Sequence, residues 1–169
     1  MRTLGVIMAI VAALVLQTAL GRFIARSTVA IDLVLVVVVY VALTAGPVTG
    51  LLAGTAAGLA QDALSSGVIG IGGLAKTLVG FLSGIIGTQF IVAQPFSRFV
   101  VFLAATVLHA AVFIGIYVML DLRQFETPYA AVAGQALGNA VVGVAAFQLV
   151  ELLPGVVERR RSQRARIRR

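Results

Sequence analysis

The sequence predicts an all-α polytopic membrane protein, a bundle of six transmembrane helices. Of its 169 residues, 60% are hydrophobic and 11% are charged, and the mean hydropathy is +1.09. Apolar runs cover most of the chain, as is typical of proteins that cross a bilayer several times and not of soluble domains. Because hydrocarbon offers the backbone no hydrogen bonds, these runs are expected to be helical even where valine is abundant.

Breaks in the apolar pattern divide residues 1–155 into six predicted helices, which a tail over 156–169 follows. The first run shows no competitive cleavage site and is kept as a helix rather than a signal peptide. Gly46 and Pro47 separate the second helix from the third, because Gly suits the end of a helix and Pro its first turn. A single kinked helix across this break would reach about 48 Å, so a hairpin is preferred. The predicted spans are residues 4–21, 29–44, 47–61, 73–93, 98–120 and 129–153, with a link over Asp62 to Gly73 and a stop at Pro154-Gly155.

The net charge of +7 is concentrated in the tail. Seven of the 13 basic residues lie there, namely Arg159, Arg160, Arg161, Arg164, Arg166, Arg168 and Arg169. No basic surface is spread over a domain, so nucleic acid is not an expected partner. The tail would attract anionic lipid at about 1 kcal/mol for each basic side chain. Whether it also binds a cytoskeletal protein is left open by the charge run alone.

The arginines also predict the orientation. Six helices place both termini on one side of the membrane, and nine arginines fall on that side against three, Arg22, Arg26 and Arg123, on the other. Because basic residues are enriched in cytoplasmic segments, both termini are expected in the cytoplasm.

Glycines recur at every fourth position of the third and fourth helices. They stand at Gly46, Gly50, Gly54 and Gly58, and again at Gly80 and Gly84. A row of small residues lets a neighbouring backbone come close, and helices in a membrane associate through such packing. The two rows therefore predict a contact between these helices, which we call the glycine seam.

A few polar side chains interrupt the apolar helices, namely Asp32, Asp62, Lys76, His109 and Asn139. A charge within the membrane is costly unless it faces protein or water and finds a partner. Asp62 and Lys76 each stand at the end of a small-residue row, which predicts an ion pair between them; a ligand or proton site and a partner contact are the alternatives. For His109, a hydrogen bond to Asn139 or Gln135 is expected.

No catalytic site is recognisable in the sequence, and neither a metal nor another cofactor is predicted. The chain has no cysteine, no two carboxylates expected at one depth, no serine with a positioned base and no cluster of metal ligands. Two functions remain, a membrane scaffold and a small-molecule-binding component of a vitamin-type transporter. The second needs several convergent polar groups. The predicted link from Asp62 to Gly73 offers mostly Gly, Ser and aliphatic residues, which favours the scaffold.

Between residues 31 and 87, several features follow one another in a characteristic order. An acid begins an apolar run to a tyrosine (Asp32 to Tyr40), and a Gly-Pro turn follows. The glycine row then ends in Gln61-Asp62, and the sequence Gly-Leu-Ala-Lys-Thr-Leu-Val-Gly covers 73–80. This order and spacing resembles the rod shape-determining protein MreD family over essentially the whole length. Ile31 departs from the pattern, since the family often has proline there.

The resemblance implies a small inner-membrane scaffold of the bacterial cell-elongation machinery. It also implies binding to the single-span protein MreC and, through MreC, to the MreB cytoskeleton and the peptidoglycan synthases. At the level of the fold, the family is similar to the six-helix substrate-binding components of energy-coupling-factor transporters. A likeness of fold does not by itself establish ligand binding.

Overall fold

The structure, a computed structural model, describes residues 3–24, 31–65, 67–90, 92, 94–122 and 129–167, with side chains described outside 21–24 and 153–167. Within these residues the chain forms six helices. They are α1 (Thr3–Ile24), α2 (Leu33–Ala45), α3 (Pro47–Leu64), α4 (Ile71–Gln89), α5 (Pro95–Met119) and α6 (Tyr129–Ile167).

Four segments of these helices are long and apolar enough to cross a membrane. They are Thr3–Leu20, Ile71–Gln89, Pro95–Met119 and Tyr129–Leu152. α2 is apolar but has 13 residues, which span about 20 Å against a hydrocarbon core of about 30 Å. The chain is therefore an all-α membrane protein that also contains a short internal helix.

α2 occupies the centre of the bundle, where it contacts each of the other five helices. Val34, Val38 and Val41 are fully buried, and so are Leu35 and Val39 on other sides of the helix. A helix that is apolar all round is one that protein or lipid surrounds completely. Asp32 and Val36 are each only 4% exposed, so the start of α2 lies inside the bundle.

The predicted hairpin between α2 and α3 is present. Gly46 ends α2 with a φ of +89° and donates its N–H to the carbonyl oxygen of Ala42 at 2.9 Å. Pro47 is the first residue of α3. A positive φ suits glycine, which lacks a Cβ, and proline at the first helical position loses no intrahelical hydrogen bond.

The structure brings the two glycine rows of the seam together. A Cβ at Gly54 would overlap the backbone carbonyl of Lys76, and one at Gly58 would lie 2.6 Å from the Cα of Gly73. The backbones of Gly50 and Gly80 meet in the same way. At the far end of the seam, a Cβ at Gly84 would overlap Pro47 and lie 2.8 Å from the carbonyl carbon of Gly46. α3 and α4 therefore touch backbone to backbone along their length.

The helix bounds differ from the predicted ones at three places, most at the end of α6. α2 begins at Leu33, not at residue 29, because Asp32 caps it. The link predicted over 62–73 shortens to 65–70, because α3 continues to Leu64 and α4 already begins at Ile71. α6 continues through Pro154 and Gly155 to Ile167. Although proline removes one backbone hydrogen bond, the arginine-rich segment that follows has a high helix propensity, which favours continuation of α6.

Candidate functional site

An ion pair lies inside the bundle, where α2, α4 and α5 meet. The ammonium nitrogen of Lys76 is 2.9 Å from Oδ2 of Asp32 and 3.1 Å from Nε2 of His109. The two charged side chains are 5% exposed or less. Because the pair has little contact with solvent, both charges depend on these protein partners.

The N-terminus of α2 explains the position of Asp32. Its Oδ1 accepts a hydrogen bond from the backbone N–H of Leu35 at 2.9 Å, which is the bond of a helix N-cap. Its own backbone N–H donates to Oδ1 of Asn139 at 2.9 Å, and Nδ2 of Asn139 donates to Oγ1 of Thr106 at 3.2 Å. The fully buried Asn139 therefore ties α6 to both α2 and α5. We call Asp32, Lys76, His109, Thr106 and Asn139 the buried polar cluster.

Asp62 makes a different interaction, because its side chain, near the end of α3, caps the N-terminus of α4. Its Oδ2 accepts the backbone N–H of Gly70 at 2.8 Å and that of Gly73 at 3.0 Å. Gly70 is the N-cap residue of α4 and has no side chain with which to cap it. A carboxylate at this place satisfies free N–H groups and complements the positive end of the helix dipole.

The predicted pair between Asp62 and Lys76 is therefore wrong, because Lys76 pairs with Asp32. The expected bond from His109 to Asn139 or Gln135 is also wrong, since His109 contacts Lys76. Both errors come from the depth of α2. The sequence predicted that the second helix begins at residue 29, whereas α2 begins at Leu33 with Asp32 as its cap, inside the bundle and at the level of the middle of α5.

A cavity of about 430 Å³ lies against this cluster, and it is lined by residues of α1, α3, α4, α5 and α6 together with Ile31 and Asp32, which directly precede α2. Asp32, Asp62, Lys76 and His109 contribute to its wall together with three glutamines, Gln17, Gln61 and Gln135. The sequence predicted no two carboxylates at one depth and few convergent polar groups. The cavity corrects both expectations, because its polar residues come from helices that are distant in the chain.

A second ion pair lies at the opposite end of the bundle, and sequence reasoning missed it. Nη1 of Arg98 is 3.0 Å from Oε2 of Glu151, Nη2 bonds the other carboxylate oxygen, and Nε donates to the carbonyl oxygen of Val92 at 3.2 Å. The guanidinium lies 4.4 Å from the centre of the Phe147 ring. The sequence did contain a signal for this pair, because Arg98 and Glu151 are charged residues within the apolar runs of α5 and α6 and fall on the same predicted side of the membrane.

Several predicted sites lie outside the described residues. They are Arg168 and Arg169, the side chains of Arg159, Arg160, Arg161, Arg164 and Arg166, and the loop residues Arg26 and Arg123, together with the side chain of Arg22. Among the described residues, no group of three His, Asp or Glu is placed to hold a metal ion.

The fold and the site define a class, that of polytopic all-α membrane proteins whose intramembrane charges are paired with one another inside the bundle. The family model of the rod shape-determining protein MreD matches residues 1–154. The chain therefore belongs to the MreD family, whose role is in rod shape determination. No curated protein and no solved structure matches the chain.

Proposed function

We propose that the protein is a non-enzymatic scaffold of the bacterial cell-elongation machinery in the cytoplasmic membrane. It binds a single-span protein of the MreC type and through it meets the MreB cytoskeleton and the peptidoglycan synthases. In this way it helps to organise peptidoglycan synthesis. In this proposal the six helices form one bundle in the membrane with α2 as its short internal helix, both termini are cytoplasmic, and the fold is of the kind found in the substrate-binding components of energy-coupling-factor transporters.

The observation that carries this proposal is the packing of α2, α3 and α4. α3 and α4 meet backbone to backbone at four glycine contacts along the seam, and most side chains of α2 are buried among the other helices. Packed cores and fixed elements hold one arrangement and resist deformation. A frame of this kind suits a protein that holds partners in fixed positions.

The outer surface of the bundle is apolar and offers room for partner helices. Large apolar side chains are exposed on α1, α3 and α5, among them Leu4, Met8, Val48, Leu52 and Val100. In lipid such a face gains nothing from hydrophobicity alone, so partner helices would be selected by close packing against it. The tail of α6, with its arginines, adds attraction to anionic lipid at the cytoplasmic surface.

The partner proposal predicts a stable complex in a mild detergent extract. A tag at residue 169 should retain a single-span MreC-type protein, identified by mass spectrometry, from a rod-shaped host. Deletion of the gene should round the cells, and renewed expression of the unaltered protein should restore both the complex and the rod shape. Rods after deletion, or an extract without such a partner, would contradict the scaffold role.

The orientation predicts opposite signals from reporters at two places. A fluorescent protein fused after residue 169 should fold and fluoresce in the cytoplasm. Alkaline phosphatase inserted between residues 122 and 129 should be active, because that segment would lie outside the membrane on the other side. The exchange of the two reporters serves as the control, since each should then be silent. A periplasmic C-terminus would overturn the arrangement.

A further inference from the structure

The cavity beside the buried polar cluster has the features of a ligand site. Its volume of about 430 Å³ lies within the range of about 300 to 1,000 Å³ typical of small-molecule pockets. Such pockets combine mostly apolar walls with a few convergent polar groups. We propose that this cavity binds a small, uncharged, planar molecule that donates an N–H group to Gln61. The scaffold role does not depend on this site.

The charges in the wall are already committed to partners within the protein. Asp32 and Lys76 neutralise each other, and Asp62 receives two backbone N–H groups. An anionic ligand would meet two carboxylates against one ammonium group. A cationic ligand would compete with Lys76 for Asp32 or with α4 for Asp62. An uncharged ligand leaves all these interactions intact.

The amide side chains supply the uncommitted polar atoms. Oε1 of Gln61 is enclosed by protein and accepts no hydrogen bond from the described part of the chain. Gln61 lines the cavity, and a half-turn about its terminal torsion, which is two-fold and soft, exchanges Oε1 with the amide nitrogen and makes the oxygen available to a ligand. An acceptor in this state carries the cost of lost hydration, which a donor on a ligand would offset. Gln135 of α6 lines the same cavity and offers both a donor and an acceptor. Gln17 is partly engaged, since its Oε1 accepts the N–H of Val34 at 3.2 Å.

The apolar part of the wall favours a flat ring. Phe113 lines the cavity and stands in an aromatic row, with ring centres 5.9 Å from His109 and 4.8 Å from Tyr117. Ala110 and Ile114 complete this side with small or aliphatic surface. Aromatic rings bury large areas and stack in offset arrangements, so a planar amide or heterocycle fits this wall better than a flexible chain.

Three isosteric probes test the class of ligand. Benzamide is neutral and donates N–H, benzoate has the same shape and is an anion, and benzamidine is the corresponding cation. Saturation-transfer NMR on the full chain in detergent should show transfer to benzamide well above that to the other two. Gln61→Leu should raise the dissociation constant of benzamide, obtained by titration of this signal, roughly fivefold to tenfold, as expected when one hydrogen bond to the ligand is lost.

Two further variants keep the test decisive. Gln148→Leu makes the same chemical change at an exposed place outside the cavity and should leave the benzamide signal unchanged. Gln135→Leu should lower the signal independently of Gln61. Because Oε1 of Gln61 makes no bond with the described residues, Gln61→Leu should melt at or above the temperature of the unaltered protein. The proposal would be overturned if benzamide shows no saturation transfer, or if both cavity variants leave that transfer intact. Equal transfer to benzoate or benzamidine would also overturn it.

Discussion

Gly54→Leu and Gly58→Leu should each lower the free energy of unfolding by more than about 3 kcal/mol, at or above the upper end of ordinary overpacking. A side chain at Gly54 would collide with the carbonyl group of Lys76, and one at Gly58 with the backbone of Gly73. Backbone cannot rotate away as a flexible side chain can, so α3 and α4 would have to separate along the whole glycine seam. Thermal unfolding in detergent, followed by circular dichroism, measures the loss.

Two control variants separate the seam from general effects of substitution. A Cβ at Gly115 of α5 would have nothing within 4 Å, so Gly115→Leu makes the same change in open space and should be close to neutral. Leu52→Ala truncates an α3 side chain that is 61% exposed and should cost little. If these controls lose as much stability as Gly54→Leu, close backbone contact is not what holds the helices together.

The second large effect concerns the ion pair between Asp32 and Lys76. Asp32→Asn or Lys76→Met alone should each cost about 3 to 5 kcal/mol, because each change strands a buried charge. Asn is as good an N-cap as Asp, so Asp32→Asn removes the charge and preserves the start of α2. Met preserves the length of the lysine stem. The double variant should therefore cost clearly less than the sum of the two single changes.

The matched comparison uses Asp62, which lines the same cavity but bonds the backbone of α4. The cycle of Asp62→Asn with Lys76→Met should show a smaller coupling energy than the cycle with Asp32→Asn. Unfolding of all variants in one detergent at one pH provides the numbers. Strict additivity for Asp32 and Lys76, or stronger coupling to Asp62, would contradict the pairing.

The glycine positions show which contacts can be predicted from residues that are close together in the sequence. The four-residue spacing predicted a close contact between α3 and α4, because only small residues at that period present a continuous backbone surface on one side of a helix. The hairpin at Gly46-Pro47 followed from the conformational preferences of these two residues alone. Both inferences depend on residues near each other in the chain, and neither needs the relative depth of distant helices.

The partner of Lys76 could not be found in this way. Different arrangements of the helices would bring Lys76 into contact with Asp32, Asp62 or His109. The depth at which each helix begins decides which of these contacts forms. α2 is short and enclosed by protein, which moves Asp32 to the level of His109. Asp62 is drawn instead to the uncapped start of α4, whose own N-cap residue is a glycine.

The sequence by itself determined the membrane class, the break at Gly46-Pro47, the glycine rows and the basic tail, because hydropathy, glycine spacing and charge act over a few turns. Only the tertiary structure decided which charges pair, which carboxylate caps α4, and that glutamines from α1, α3 and α6 meet around one cavity. Electrostatic and hydrogen-bonding partners are selected by distances of about 3 Å. A shift of one helix by a single turn, about 5.4 Å, exchanges one partner for another.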